Sequence, residues 1–178
     1  MVVKRVNDIG LWIFGYGSII WRPSMPYVVA YRATVTDWSR RFWQGSHDHR
    51  GTIECPGRVL TLVPLPGEHC EGRVFGIAEA DVEQTLKDLD YREKNGYERQ
   101  KLSVSTKELG SIDALTYIAP PYNPAWLGDA SDKTIAEQIR HSRGPSGSNK
   151  EYVVSLHDAL IADGIQDEHI QGIAALLK

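Results

Sequence analysis

The chain has 178 residues, 42% hydrophobic and 24% charged, the balance of a globular protein with a core to bury and not of a disordered segment. Twenty Lys and Arg against 23 Asp and Glu leave a net charge of −3 with no basic block, which argues against a dedicated nucleic-acid binder. The two cysteines, Cys55 and Cys70, lack CxxC spacing and make neither a disulfide framework nor a four-ligand zinc site, and no apolar run approaches the ~20 residues that cross a bilayer. At the start of the chain Lys4 and Arg5 run into Asn7 and Asp8, where a leader would place an apolar stretch. No repeat or low-complexity tract interrupts the pattern. The expectation is a soluble cytoplasmic protein, free of membrane and nucleic acid, forming a single domain over residues 1–178.

Leu11 to Phe14 is a short apolar run stopped by Gly15 and Gly17, the pattern of a buried strand ending in a glycine turn. Tyr27 to Thr36 and Arg58 to Val63 are rich in Val, Thr and Tyr and read as strands, and Arg73 to Ala80 continues the series. Val82, Leu86 and Leu89 then fall at i, i+4 and i+7, the apolar stripe of a short helix within Asp81 to Tyr97, with Asn95-Gly96 as its stop. Leu102 to Val104 and Ala114 to Ile118 supply two more short strands. The last third is helical: Ile135 and Ile139 lie one turn apart before Gly144-Pro145. Ser148 and Glu151 form an S-x-x-E capping box ahead of Tyr152, Leu156 and Leu160, and Ile170, Ile173, Ala174 and Leu177 share a face of a final helix. Strands first and helices later predict an α+β fold, a closed or partly closed barrel with helices packed outside.

Two places carry chemistry. In Phe14-Gly15-Tyr16-Gly17-Ser18-Ile19-Ile20-Trp21, two glycines around a tyrosine let the backbone turn sharply and aim N–H groups at an anion or carbonyl oxygen; the alternative is a strand-ending turn with an aromatic plug. It is no nucleotide loop, because GxGxxG needs glycine where Ile20 stands and the GK[ST] ending is absent. The second place is Glu93, the next position on the Val82-Leu86-Leu89 stripe if the helix runs one more turn. A carboxylate on the buried side of a helix is costly unless paired or functional. Arg92 and Lys94 adjoin it, yet adjacent residues point apart on a helix, so Glu93 is either paired to a distant arginine, beyond a helix that stops at Tyr91, or chemically employed.

Other groupings are weaker. His47-Asp48-His49 puts two imidazoles at i, i+2, which on a strand would share a face, but no third metal ligand is identifiable and Gly45, Ser46 and Gly51 suggest a loop. Cys55 has no local feature that would lower its thiol pKa for nucleophilic work. Arg40-Arg41 among Trp38, Phe42 and Trp43 has the composition of a single-strand stacking surface, against which the acidic net charge argues; core or pocket rim is the better reading.

Phe14-Gly15-Tyr16-Gly17-Ser18 followed by Trp21 resembles the opening motif of the ChaC-type γ-glutamylcyclotransferases. Arg40-Arg41-Phe42-Trp43-Gln44-Gly45-Ser46, then Asp48-His49-Arg50-Gly51, resembles that family's second signature, continued by Pro56-Gly57-Arg58-Val59 and Leu60-Thr61-Leu62-Val63. Asp90-Tyr91-Arg92-Glu93-Lys94-Asn95-Gly96-Tyr97 is similar to the segment with the family's catalytic glutamate, Asn95 standing where a second glycine is usual. Ile135 to Ile139 and Gly144 to Tyr152 complete a resemblance that covers nearly the whole chain in order. Ile19 replaces a common leucine, and Thr52-Ile53-Glu54-Cys55 replaces a more basic, glycine-containing link.

The resemblance implies a γ-glutamylcyclotransferase-like mixed β-barrel with packed helices. It implies cleavage of glutathione to 5-oxoproline and Cys-Gly by attack of the substrate's α-amine on its own γ-carbonyl, with no metal and no organic cofactor. It implies Glu93 as general acid/base, and Ile13, Phe14, Gly15, Tyr16, Gly17, Ser18 and Tyr152 as substrate-binding residues. Arg50 and Arg58 are open between gripping a substrate carboxylate and serving as framework salt bridges. The alternatives are a cyclotransferase for other γ-glutamyl amines and a non-catalytic glutathione-binding regulatory protein. A glutamate near pKa ~4.3 must take a proton from an α-ammonium near ~8, a mismatch of about 5 kcal/mol that burial of the carboxyl would narrow. An inward-facing Glu93 therefore suits the chemistry, and the helical stripe and the motif meet at the same residue.

Overall fold

A computed structural model of the chain describes residues 8–178. Lys4, Arg5 and Asn7, which bear on the question of a leader, lie outside the described residues. The apolar and β-branched runs form β1 Ile9–Gly15, β2 Val29–Ser46, β3 Gly57–Ala78, β4 Glu98–Thr106 and β5 Gly110–Ile118. They close into a barrel in the order β1-β3-β2-β4-β5. β1 runs antiparallel to β3, with Ile13 opposite Phe75, and parallel to β5, with Ile13 opposite Leu115; β2–β4 and β4–β5 are antiparallel. The barrel is thus mixed, and with helices α1 Val82–Arg92, α2 Asp132–His141, α3 Asn149–Ala162 and α4 Glu168–Leu176 the fold is α+β as expected.

Two strands differ from the sequence reading: β2, expected over Tyr27 to Thr36, runs ten residues further to Ser46 and takes in Trp38 to Trp43, and β3 joins two runs that read as separate strands. Arg58 to Val63 and Arg73 to Ala80 belong to a single strand of 22 residues, although Pro64-Leu65-Pro66-Gly67 between them reads as a breaker. Residues 64–69 are exposed, so nothing demands regular burial there. Gly67 takes φ +86° and its N–H donates to Asp37 Oδ1 at 2.8 Å, while Asp37 itself stands at φ 64°, so two left-handed residues on facing strands carry the irregularity.

The described residues divide into two compact units, and β2 and β3 each contribute residues to both. The first unit, residues 8–38 with 64–118, has its core in Ile13, Ile19, Met25, Phe75, Ile77, Leu89 and Tyr117. Leu89 comes from α1 and is completely buried, and Val82 packs against the same cluster, so the apolar stripe read from the sequence is what seats this helix. Burying such a leucine contributes about 1.5–3 kcal/mol.

The second unit, residues 39–63 with 119–178, holds α2, α3 and α4 against one another through Ile135, Ile139, Val153, Leu156, Leu160, Ile170 and Ile173. Each of these helices starts on a side-chain cap: Ser131 accepts from Thr134 N, Ser148 from Glu151 N and Asp167 from Ile170 N. The Ser148 half of the expected capping box is present, and the Glu151 carboxylate lies 3.5 Å from Arg50 Nη1. Among the described residues no helix is long and apolar enough to cross a membrane.

Candidate active site

β1 delivers the glycine loop. Ile13 and Phe14 are buried in the first unit, and the next strand over fixes their backbone, because Thr116 Oγ1 donates to Phe14 O at 2.9 Å. A Cβ on Gly15 would stand 3.2 Å from Ile19 and 3.3 Å from a Phe75 ring carbon, a tight fit that would make these side chains give way by a few tenths of an ångström. Tyr16 is buried and its hydroxyl donates to Tyr117 O at 2.7 Å. The aromatic plug and the glycine turn, posed as alternatives from the sequence, therefore coexist: the ring anchors the loop while the glycines bend it.

Beyond Tyr16 the exposure changes. Gly17 and Ser18 are half-buried between buried Tyr16 and buried Ile19 and Ile20. Ser18–Ile20 is a 3-10 turn whose bonds run from Ile20 N to Gly17 O and from Arg22 N to Ser18 O, both 2.9 Å. These bonds use the carbonyls. At the start of a helical turn the first N–H groups have no partner within the turn. Gly17 and Ser18 are thus the partly exposed residues of the motif, while Ile13, Phe14, Gly15 and Tyr16 are buried.

Glu93 lies just past α1. The helix closes at Arg92, and Glu93 is its C-cap with φ −94° and ψ 15°, its N–H donating to Leu89 O at 2.8 Å. Its side chain is 18% exposed and Arg92 Nε stands 3.3 Å from Oε1. This corrects the expectation that neighbours in sequence cannot pair here. The rule that adjacent side chains diverge holds inside a helix, and Glu93 has already left helical geometry.

Arg92 also donates through Nη2 to Ser18 Oγ at 2.5 Å and through Nη1 to Ser24 Oγ at 2.8 Å. One guanidinium thus touches both the glycine loop and the carboxylate, bringing the two sequence-predicted features into one site. Sequence reasoning missed Arg92, whose visible signal was limited to a cation in the last turn of a helix, where the dipole favours one.

A second set of contacts fixes the same end of α1. Asp90 Oδ1 accepts from Arg99 Nε at 2.6 Å and from the Tyr117 hydroxyl at 2.7 Å. The Arg99 bond holds the Asp90 carboxyl below its ordinary range, and burial, with Asp90 as acceptor, pushes the Tyr117 hydroxyl well above its own. Tyr117 is thereby a neutral donor at any ordinary pH.

Tyr152 belongs to the second unit. It sits in the first turn of α3, buried, its ring edge-on to Phe42 at 6.2 Å with the Arg50 guanidinium 5.6 Å from its centroid. The arginines left open by the sequence both bond to backbone groups of this unit. Arg58 donates to Phe42 O at 2.8 Å, Gly128 O at 3.0 Å and Gln138 Oε1 at 2.7 Å, and burial pulls its pKa down. Arg50 donates to Ser148 O at 3.1 Å.

The minor groupings resolve in the same way. Arg40 is buried and its Nε lies 2.8 Å from Asp167 Oδ2, and Phe42 is buried, so this aromatic stretch serves the core of its unit. Cys55 is exposed, with its sulfur 3.7 Å from the backbone oxygen of His141 and from Ser142 Oγ. His49 Nδ1 lies 3.1 Å from Ser146 Oγ, and among the described residues no three His, Cys, Asp or Glu side chains gather as a metal site.

The architecture is that of a known class. The crystal structure of a γ-glutamyl cyclotransferase specific to glutathione from yeast is similar over 96% of each chain, with a TM-score of 0.89 and 28% sequence identity. Residues 11–178 match the family described as ChaC-like protein, and the chain belongs to the ChaC family. It is 41% identical over 173 residues to the human glutathione-specific gamma-glutamylcyclotransferase 1, covering 92% of this chain and 76% of that one. It is 31% identical over 176 residues to the Escherichia coli glutathione-specific gamma-glutamylcyclotransferase, covering 98% of this chain and 75% of that one.

Proposed function

We propose that this chain is a γ-glutamylcyclotransferase that cleaves glutathione to 5-oxoproline and Cys-Gly, with Glu93 as general acid/base and the Gly15–Ser18 loop as substrate cradle. The observation that carries the reading is the shared guanidinium: Arg92 contacts Ser18 of the loop and Glu93 alike, in a chain whose relatives are named for this activity.

The reaction needs no enzyme nucleophile. The glutathione α-amine attacks the γ-carbonyl carbon, a C–N bond forms to close the five-membered lactam, and the C–N bond to the cysteine nitrogen breaks. Folding the substrate so that amine and carbonyl meet is an intramolecular alignment of the kind that supplies about 7–11 kcal/mol of a barrier. The oxyanion that develops on the carbonyl is stabilised by the Gly17 and Ser18 N–H groups, each such donor contributing about 3–4 kcal/mol. Glu93 takes one proton from the α-ammonium to free the attacking amine and passes it to the departing cysteine nitrogen. The second proton, shed by the same α-nitrogen as the lactam forms, follows by the same carboxylate, so that Cys-Gly leaves with its amine protonated and both protons are accounted for. Ile13, Phe14 and Tyr16 hold the cradle from beneath, and Tyr152 enters as a substrate-binding residue on the strength of its motif. No step calls for a metal or organic cofactor. The reduced tripeptide of the cytoplasm is the natural substrate pool, which places the proposed activity there.

The test is 5-oxoproline release from reduced glutathione by the wild-type protein with Glu93→Gln beside it. The expected result is Cys-Gly formation by wild type and a loss of about 100-fold or more in the variant. Turnover by Glu93→Gln at the wild-type rate removes Glu93 from the mechanism. A folded wild type that binds glutathione without consuming it makes the chain a binding protein, and turnover of γ-glutamyl-alanine in its place moves the substrate to other γ-glutamyl amines.

A further inference from the structure

Arg92 reaches its three partners with three different nitrogens: Nη2 to Ser18 Oγ, Nη1 to Ser24 Oγ, and Nε beside Glu93 Oε1. A planar fork with five N–H donors can hold three acceptors in fixed directions, whereas a lysine ammonium on its flexible stem is a point charge. The partners lie 74, 68 and one residue away in sequence, so the contact ties the turn after β1 to the end of α1. With side chains 24% and 18% exposed, Arg92 and Glu93 are shielded enough for the geometry to persist.

We infer that Arg92 is a positioning residue that holds the Ser18 end of the glycine loop and the Glu93 carboxylate in fixed register. The inference rests on the cyclotransferase reading of this site.

Two features follow from the arrangement. Ser18 Oγ accepts from Arg92, so its own proton points elsewhere and is available to a substrate oxygen, polarised by the charged donor behind it. Glu93 stands at the C-terminus of α1, where the helix dipole is negative and repels a carboxylate. The guanidinium on the preceding residue offsets that repulsion and keeps the carboxylate beside the loop. Displacing a catalytic group by ~1 Å costs on the order of 100-fold in rate, so the tether matters most to kcat.

The experiment measures kcat and KM for glutathione in Arg92→Met, Arg92→Lys, Glu93→Gln and the Arg92→Met/Glu93→Gln pair, each checked for a cooperative melt. Arg92→Met is expected to lower kcat by roughly 10- to 100-fold with KM moved less than about 3-fold, and Arg92→Lys to recover part of the loss. In the Glu93→Gln background, Arg92→Met is expected to cost no more than about 3-fold further, because both act through one carboxylate. A kcat for Arg92→Met within about 3-fold of wild type, or losses that multiply in full in the pair, overturns the inference. Should Arg92→Met fail to melt cooperatively, Arg92→Lys carries the same comparison.

If wild type does not consume glutathione, or Glu93→Gln stays fully active, it is the reading of the site that fails. Amide hydrogen exchange then decides the tether without turnover. Exchange across residues 16–22 is expected to quicken by about 10-fold or more in Arg92→Met, and unchanged exchange overturns the tether.

Discussion

Acid should loosen the second unit through His169. The Nε2 atom of this imidazole accepts the Phe42 N–H at 3.2 Å, and Nδ1 faces Asp132 Oδ1 at 3.4 Å. A neutral ring serves both contacts, one nitrogen as acceptor and the other as donor; a protonated ring presents a donor to the Phe42 N–H and loses that bond. Burial first, then the Arg41 charge, hold the His169 pKa below its ordinary value, against the pull of Asp132 and Asp167. The folded value is depressed, so the stability is present above the unfolded pKa of about 6.5 and is lost as pH falls below it, when the unfolded chain takes up a proton the folded chain resists. At pH 5 the loss is bounded at about 2 kcal/mol, since each pH unit below the unfolded value contributes at most ~1.4 kcal/mol. For a chain of this length that bound corresponds to roughly 4–8 °C in Tm.

The consequence reaches Tyr152, because the Phe42 backbone held by His169 on one side is held by Arg58 through its carbonyl on the other, and its ring abuts Tyr152. The assay is Tm against pH from 7.5 to 5 for wild type and His169→Gln, whose amide oxygen can still accept from Phe42 but does not titrate. The variant should lose less stability over that range than wild type. Parallel curves for the two proteins refute the reasoning, because the acid sensitivity would then belong to other groups.

Two further outcomes can be checked in the first unit. Tyr16→Phe keeps the buried ring and deletes the hydroxyl that donates to Tyr117 O, so urea unfolding should show a loss of about 1–2 kcal/mol at unchanged m, whereas an unshifted midpoint would mean the loop is anchored by packing alone. Asp90, held below its ordinary range by Arg99, contributes stability that is present above pH ~3.9 and lost as pH falls through its lower folded value; because its side chain is 47% exposed, the effect should be at most about 1 kcal/mol, and the acid limb of Asp90→Asn below pH ~4 should be shallower than that of wild type.

The strands that close the barrel were legible in part from their apolar and β-branched runs, with glycine marking the end of β1 and the starts of β3 and β5, and the α1 stripe because a period of 3.6 admits few other readings. The continuity of β3 was not. Pro64-Leu65-Pro66-Gly67 carries every local mark of a loop, and the pairing that keeps it in a strand lies across the sheet at Asp37. The same division runs through the site. Gly15, Gly17 and Glu93 stood out because each is costly or unusual where it occurs, two glycines interrupting an apolar strand and a carboxylate on an apolar stripe.

Arg92, Tyr117 and His169 stood out in nothing. An arginine in the last turn of a helix, a tyrosine in a strand and a histidine in the first turn of a helix are common residues in permitted places, and their partners lie 74, 27 and 127 residues away. Local periodicity cannot register such contacts, since they exist only once the chain has folded. A catalytic carboxylate or a loop that bares its backbone breaks a local rule and so leaves a trace in the sequence, whereas groups that aim them need break none. Glu93 shows the two working on one atom. The stripe placed it on a further helical turn, whereas it caps the helix with its N–H on the Leu89 carbonyl four residues back, and its orientation comes from a guanidinium that also holds Ser18 of the glycine loop and Ser24. A substitution at Arg92 is therefore the sharper probe of this site, because it disturbs the aim of the carboxylate while leaving the carboxylate itself in the chain.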